Sequence, residues 1–451
     1  MLLFNTINLT TNFSNKQKSL KIYILFNHHR LLLLVIHFES QKLVGILTLV
    51  LLIPLALVQE LIVERSQRQK EVITETTSKW GSSVYFYGPI LKVPYKDPMT
   101  GANNYAYFFP EELNNKSEVT MVKPLERSIY KSNVFTTKMQ FDGKYSTPNF
   151  AAKGIPAENI YWNRAKMMIR TSNLKSLKDE VKMKIGNQYL TFESVANTAN
   201  DSVESLETNY FDCKTLETNS KFDFTISFNG SKQIKMVPIG KTTDAKITSN
   251  WNSPNFNGNF SPISREITDK GFTANWKILH FNRPFAQQYF DVLPELGKYA
   301  FAVDFITPVD EYQQNERASK YGFLVIGLTF LIFFLIQSIS KINIHIFQYS
   351  MIGIALIMFY TLLISITEHS TFSFAYLVAG ASVIIMISLY SISILKDRKF
   401  ATFIGISLSV LYTFIYVIIQ LEDYALLVGS IGLFLILAAV MYFSRKIEWN
   451  R

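Results

Sequence analysis

Residues 321–339 read YGFLVIGLTFLIFFLIQSI, nineteen positions without one charged side chain. A bilayer's hydrocarbon core, about 30 Å thick, is crossed by roughly 20 apolar residues in a helix. Four further stretches of this kind come after it, at 349–366, 372–395, 400–420 and 424–443, and a sixth stands alone at 43–63. Between the lone stretch and the group of five lies a polar segment, 64–320, rich in Lys, Asn, Ser and Thr. This spacing predicts an α-helical membrane protein with six transmembrane helices, one plus five, and a large inserted extracytoplasmic domain of mostly antiparallel β structure.

The chain has 451 residues and an apolar content of 48%, concentrated in those stretches. Its formal net charge of +10 raises the question of nucleic acid, but the bases form no single stripe with interleaved aromatics. Several flank the spans instead, which makes anionic lipid the expected counterpart. The one cysteine, Cys213, excludes an internal disulfide.

Lys and Arg in short loops mark the cytoplasmic side of a membrane protein. With six spans and the N-terminus inside, the inner segments carry Lys16, Lys18, Lys21, Arg30 and Lys42, then Lys341, then Lys396, Arg398 and Lys399, then Arg445, Lys446 and Arg451. The short outer loops hold Glu368 with His369, and Glu422 with Asp423. The expected layout is a cytoplasmic segment 1–42, a first span 43–63, an extracytoplasmic domain 64–320, a five-helix bundle 321–443 and a cytoplasmic tail 444–451. The apolar run 22–38 is interrupted by Asn27, His28, His29 and Arg30, and a charge at a helix centre costs about 2.5–3.5 kcal/mol. It reads as a cytoplasmic or interface-lying segment, or as sequence ahead of the true start, and not as a cleavable signal peptide.

After the first span, the polar run 64–71 contains no helix breaker and predicts a helix continuing to about Trp80, where Gly81 ends it. The period then changes to two, the mark of half-buried strands. Phe222, Phe224, Ile226 and Phe228 alternate with polar residues before Asn229-Gly230, and Ile234 and Met236 resume beyond it, which predicts a hairpin at Asn229-Gly230. Val181, Met183 and Ile185 before Gly186-Asn187, with Leu190 and Phe192 after, predict a second hairpin. Phe272, Ala274, Trp276 and Ile278 predict a further strand, Asp142-Gly143 a turn, and 157–163 a short helical insert.

Phosphate loops, dinucleotide fingerprints, nucleophile elbows and paired-histidine zinc helices are missing from the sequence, so no catalytic residue, metal site or cofactor is expected. One polar constellation stands out. Glu368 and His369 close the third span, Glu422 and Asp423 open the sixth, Arg317 and Lys320 precede the second, and Arg65 and Arg68 follow the first. All eight are expected at one membrane face, with Glu60 and Gln420 nearby. Two readings stand: a structural clamp between domain and bundle, or a site handling a ligand or protons. Gly353, Ala355, Gly380, Ala381, Gly405, Gly429 and Gly432 are expected to let helices approach closely.

Several stretches, in order, resemble the CreD family of bacterial inner-membrane proteins. They are LIVERSQRQKEV at 61–72 with Trp80-Gly81 and GPILKVPY at 88–95, PVDEYQ at 308–313 with RASKY at 317–321, ISITEH at 364–369 with Phe374-Ala375-Tyr376, and QLEDYALL at 420–427 with Met441-Tyr442 and Arg445-Lys446. The resemblance runs from about Phe38 to the end. It implies a cell-envelope integrity protein whose gene answers to a carbon-source-responsive two-component system, and whose loss or excess alters colicin tolerance and envelope stress. It implies no enzymatic activity. The expected function is non-enzymatic engagement of a periplasmic or envelope component by the β domain; the alternative is a transporter of a small solute or lipid-linked molecule with the acidic cluster at its outer mouth.

Overall fold

The computed structural model describes residues 44–172, 174–196, 203–217, 220–305, 311–340, 342–421 and 424–445. They fall into two compact units: a helical one, up to Gln67 and again from Glu311, and a strand one from Arg68 to Phe305.

Six helices among the described residues are long and apolar enough to cross a membrane: α1 (Val44–Trp80), α3 (Gly322–Ser340), α4 (Ile346–Thr367), α5 (Phe372–Leu395), α6 (Arg398–Gln420) and α7 (Ala425–Ser444). The helix α1 runs on past its apolar part to Trp80, and the Gly81 amide donates to the Thr77 carbonyl to close it. A short amphipathic helix, α2 (Glu311–Lys320), buries Tyr312, Gln314, Asn315, Ala318 and Ser319. It belongs to the helical unit, although its ten residues lie within the polar segment 64–320. Polar composition fits an amphipathic helix as well as a strand domain.

The centre of the helical unit is aromatic. The ring of Phe359 packs edge-on against Tyr360, Tyr376 and Tyr412 at 4.8, 5.2 and 4.8 Å. The Tyr376 hydroxyl donates to the Tyr412 carbonyl at 2.8 Å, and the Tyr349 hydroxyl to Gln337 Oε1 at 2.9 Å, so these buried O–H groups keep partners. Small residues serve close packing as expected: a Cβ on Gly353 would meet Leu51 of α1 at 2.2 Å, and one on Gly432 would meet the Phe414 ring at 2.1 Å. By contrast α7 buries none of its described residues, and Leu426, Phe434 and Met441 stand exposed. Apolar exposure on this scale suits lipid.

Among the described residues the strand unit has eighteen strands, sixteen of them in one sheet. Four lie side by side in the order β2-β1-β7-β10: β2 (Asn103–Phe108), β1 (Val84–Lys96), β7 (Lys166–Thr171) and β10 (Glu204–Thr208). The sheet bends over itself around one core. Phe86 of β1 stacks at 4.3 Å on Phe141 of β6 (Val134–Lys144). Trp276 of β16 (Gly271–Leu279) stacks at 4.9 Å on Phe301 of β18 (Phe301–Asp304). Rings of this size supply much of the apolar area that a β layer buries.

Most pairings are antiparallel, but the sheet is mixed. Strand β1 runs parallel to β12 (Gln233–Met236), and β3 (Glu112–Met121) runs parallel to β13 (Thr242–Ser249). Parallel neighbours need long connections, which local turn signals cannot announce. The hairpin at Gly186-Asn187 is present between β8 (Lys182–Ile185) and β9 (Gln188–Val195), with Ile185 opposite Gln188. The one expected at Asn229-Gly230 is not. These two residues lie inside β11 (Lys221–Ser231), opposite Thr136 and Phe135 of β6, and β12 pairs with β1 and β18 instead. Gly230 is there for space: a Cβ would sit 2.4 Å from the Phe135 ring and 2.8 Å from Val84. Asp142-Gly143 likewise lies within β6, where Gly143 passes against the Glu112 carbonyl. The insert at 157–163 forms short 3-10 turns, Ala157–Asn159 and Trp162–Arg164.

Candidate functional site

Of the eight residues expected at one membrane face, the described ones form a single ion pair with each other. Arg65 Nη1 lies 3.8 Å from Glu368 Oε1, with the two side chains 44% and 18% exposed. Lys320 pairs within its own helix, with Glu316 at 2.9 Å. Arg317 and His369 are exposed in the helical unit, and Arg68, also exposed, opens the strand unit. Glu422 and Asp423 lie outside the described residues, as do His28, His29 and His37. Elsewhere in the helical unit, Gln59 Nε2 donates to the Ser319 carbonyl at 2.8 Å and Gln314 Nε2 to Gln420 Oε1 at 3.3 Å. These bonds tie α1 to α2 and α2 to α6. Glu60 is exposed.

A second polar group, in the strand unit, was not visible in the sequence. Lys92 on β1 and Lys166 on β7 stand directly opposite each other. Like charges so placed repel, and Glu207 on β10 lies between them. Its Oε1 accepts from Lys92 Nζ at 2.6 Å and its Oε2 from Lys166 Nζ at 3.0 Å. Burial pushes the Glu207 carboxyl up, but the two lysine hydrogen bonds and charges outweigh it and hold the group below the ordinary carboxylate range. On Lys166, burial acts downward and Glu207 more than offsets it, so that ammonium is held above its ordinary value.

Tyrosines surround this triad. Lys92 Nζ sits 4.4 Å from the Tyr105 ring centre, Lys166 Nζ 5.0 Å from Tyr210, and the Arg164 guanidinium 5.6 Å from Tyr161. Together with Asn103 and Pro94 they line a recess of about 130 Å³. Tyr105 and Tyr210 are 44% and 63% exposed. Three cations against one carboxylate leave the recess positive. Its residues are spread from 92 to 210 and meet only because four strands and the 3-10 insert converge. The one local sign was alternation placing Lys92 and Pro94 on the same strand face. A shallower depression of about 480 Å³, lined by Thr120, Thr248, Ser249 and Thr268 among others, lies where β3 and β13 end and β16 begins.

A family model described as "Inner membrane protein CreD" matches residues 40–450. The inner membrane protein CreD of Escherichia coli (strain K12) is 25% identical over 418 residues, covering 89% of this chain and 91% of that protein. Among solved structures, one from Legionella pneumophila aligns over 54% of this chain and 77% of its own, with a TM-score of 0.24 and 8% identity. An M1 zinc metallopeptidase from Deinococcus radiodurans aligns over 76% of this chain and 94% of its own, with a TM-score of 0.20 and 8% identity. Scores this low assign neither fold nor activity.

Proposed function

The chain belongs to the CreD family of inner membrane proteins, and from that premise we propose that it is a cell-envelope integrity protein without enzymatic activity. Its helices anchor it in the inner membrane with both termini in the cytoplasm. Its strand domain works on the periplasmic side, where it engages an envelope component through the recess at Lys92, Lys166 and Glu207. The orientation is supported by the basic residues at the α5–α6 connection, Lys396, Arg398 and Lys399, against Glu368 and His369 at the α4–α5 connection. The observation that carries the binding reading is the recess itself: positive, ringed by tyrosine, and open to solvent through the exposed Tyr105 and Tyr210. The rings of Phe359, Tyr360, Tyr376 and Tyr412 fill the centre of the helical unit, which supports an anchor over a transport path.

The test is complementation in a strain lacking the protein, scored as survival under detergent and EDTA stress. Full-length chain restores tolerance, and a chain lacking residues 82–305 but present in the membrane at wild-type abundance does not. Full rescue by the shortened chain would contradict the proposal.

A further inference from the structure

We propose that the recess between Lys92, Lys166 and Arg164 binds a saccharide bearing an anionic substituent, a carboxylate or a phosphate. This rests on the reading that the strand domain is a binding module, and it names the class of ligand.

Charge comes first. Lys92 and Lys166 each have three N–H donors and give one to Glu207, so each keeps donors for an incoming anion. Arg164 forms no ion pair among the described residues and stays exposed at the rim, its guanidinium over Tyr161. A guanidinium recognises carboxylate and phosphate alike through paired N–H groups. A purely structural role for the triad explains Glu207, which separates two opposed ammonium groups. It leaves the exposed Arg164 guanidinium without an acidic partner among the described residues.

Size and aromaticity give the rest. At about 130 Å³, against roughly 30 Å³ for each water in the liquid, the recess takes an anionic group and part of a ring, with the remainder lying outside. The Tyr105 and Tyr210 rings at its mouth provide flat apolar faces for the C–H face of a sugar, while the Tyr161 hydroxyl, which donates to Asn103 Oδ1 at 3.3 Å, and the Glu207 carboxylate offer acceptors to sugar hydroxyls. A bare inorganic anion would use the donors only and leave the Glu207 acceptor and the tyrosine faces unused. The mixture of cations, one acceptor-only group and tyrosine faces is the lining expected where a few polar groups orient a ring held by aromatic contact.

The experiment is calorimetric titration of the full chain in lipid nanodiscs with glucuronate, glucose 1-phosphate, glucose and inorganic phosphate. Wild-type protein is expected to bind at least one of the two charged sugars, and whichever binds tighter identifies the substituent. Glucose and inorganic phosphate are expected to bind at least tenfold more weakly. Arg164→Gln and Tyr210→Ala, both at exposed positions, are expected to keep the wild-type Tm and each to lose about tenfold in affinity, the size of one charge-assisted hydrogen bond or one ring contact. Absence of binding by both charged sugars, inorganic phosphate binding as tightly as they do, or unchanged affinity in both variants would overturn the inference. Because this titration is made on purified protein, its failure is separate from a failure of rescue in cells, which bears on the proposed function.

Discussion

Lys92 and Lys166 are direct cross-strand partners on β1 and β7, and one carboxylate, Glu207, bonds to both. The arrangement places two like charges where a sheet tolerates them least and makes the strand unit depend on the third group. Glu207→Gln removes the charge and leaves two facing ammonium groups. The expected loss is about 3 kcal/mol, the lower end for breaking a buried pair, since both lysines retain some solvent. Adding Lys166→Met to that variant should return part of the loss. Thermal melting of the purified full-length proteins checks both.

The same triad sets a pH dependence. The Glu207 carboxyl is held below its ordinary value of 4.5 in the folded chain, so its contribution is complete above about pH 4.5 and is lost as pH falls through the lowered folded value. Lys166 is held above its ordinary 10.5, so its contribution is complete below that and is lost as pH rises through the raised value. Melting curves across pH for wild type and Glu207→Gln should differ by a constant amount near neutrality. The gap should close on acidification below pH 4.5.

Gly230 tests a different kind of constraint. With the Phe135 ring 2.4 Å and Val84 2.8 Å from where a Cβ would sit, Gly230→Ala should cost about 1–3 kcal/mol by overpacking. Thermal melting of the purified full-length protein checks this as a fall in Tm, and an unchanged Tm would mean that the Phe135 ring yields without cost.

The pair between Arg65 and Glu368 is a weaker tie than its place in the sequence suggested. At 3.8 Å, with Arg65 44% exposed, it falls in the range of surface ion pairs, about 0–1 kcal/mol. Arg65→Gln should therefore leave abundance in the membrane unchanged and lower Tm only slightly. Gln59→Leu, which breaks the bond to the Ser319 carbonyl and leaves a polar group of α2 without its partner, should cost more, about 1–3 kcal/mol. Quantitative blotting of membrane fractions and melting in detergent measure the contrast.

Much of this layout could be read in the residues alone. The six long helices were legible because about 20 apolar residues in a row have no other stable solution. The strand at 271–279 and the Gly186-Asn187 hairpin were legible because alternation and turn chemistry are local. The parallel pairing of β1 with β12 was not, since it joins Val84 to Ile234 across a separation that no local pattern encodes. Gly230 misled because a glycine demanded by the neighbouring Phe135 ring looks in sequence like one demanded by a turn. Of the two polar groups, the one expected from charge at the ends of spans is represented by a single pair, Arg65 with Glu368, while Glu422 and Asp423 lie outside the described residues. The recess escaped because Lys92, Arg164, Lys166 and Glu207 come from separate elements whose convergence only the tertiary fold creates.

A binding role in the envelope requires the strand domain to face the periplasm, and cysteine accessibility reads that side without any ligand. The chain's one cysteine, Cys213, is buried, so introduced thiols report their own side. Lys270→Cys lies in the strand unit and Arg398→Cys at the start of α6, both exposed. With a membrane-impermeant maleimide on intact spheroplasts, Lys270→Cys should label fully, and Arg398→Cys should label only after lysis. Labelling of Arg398→Cys in intact spheroplasts, with Lys270→Cys protected until lysis, would reverse the orientation and remove the proposed role with it.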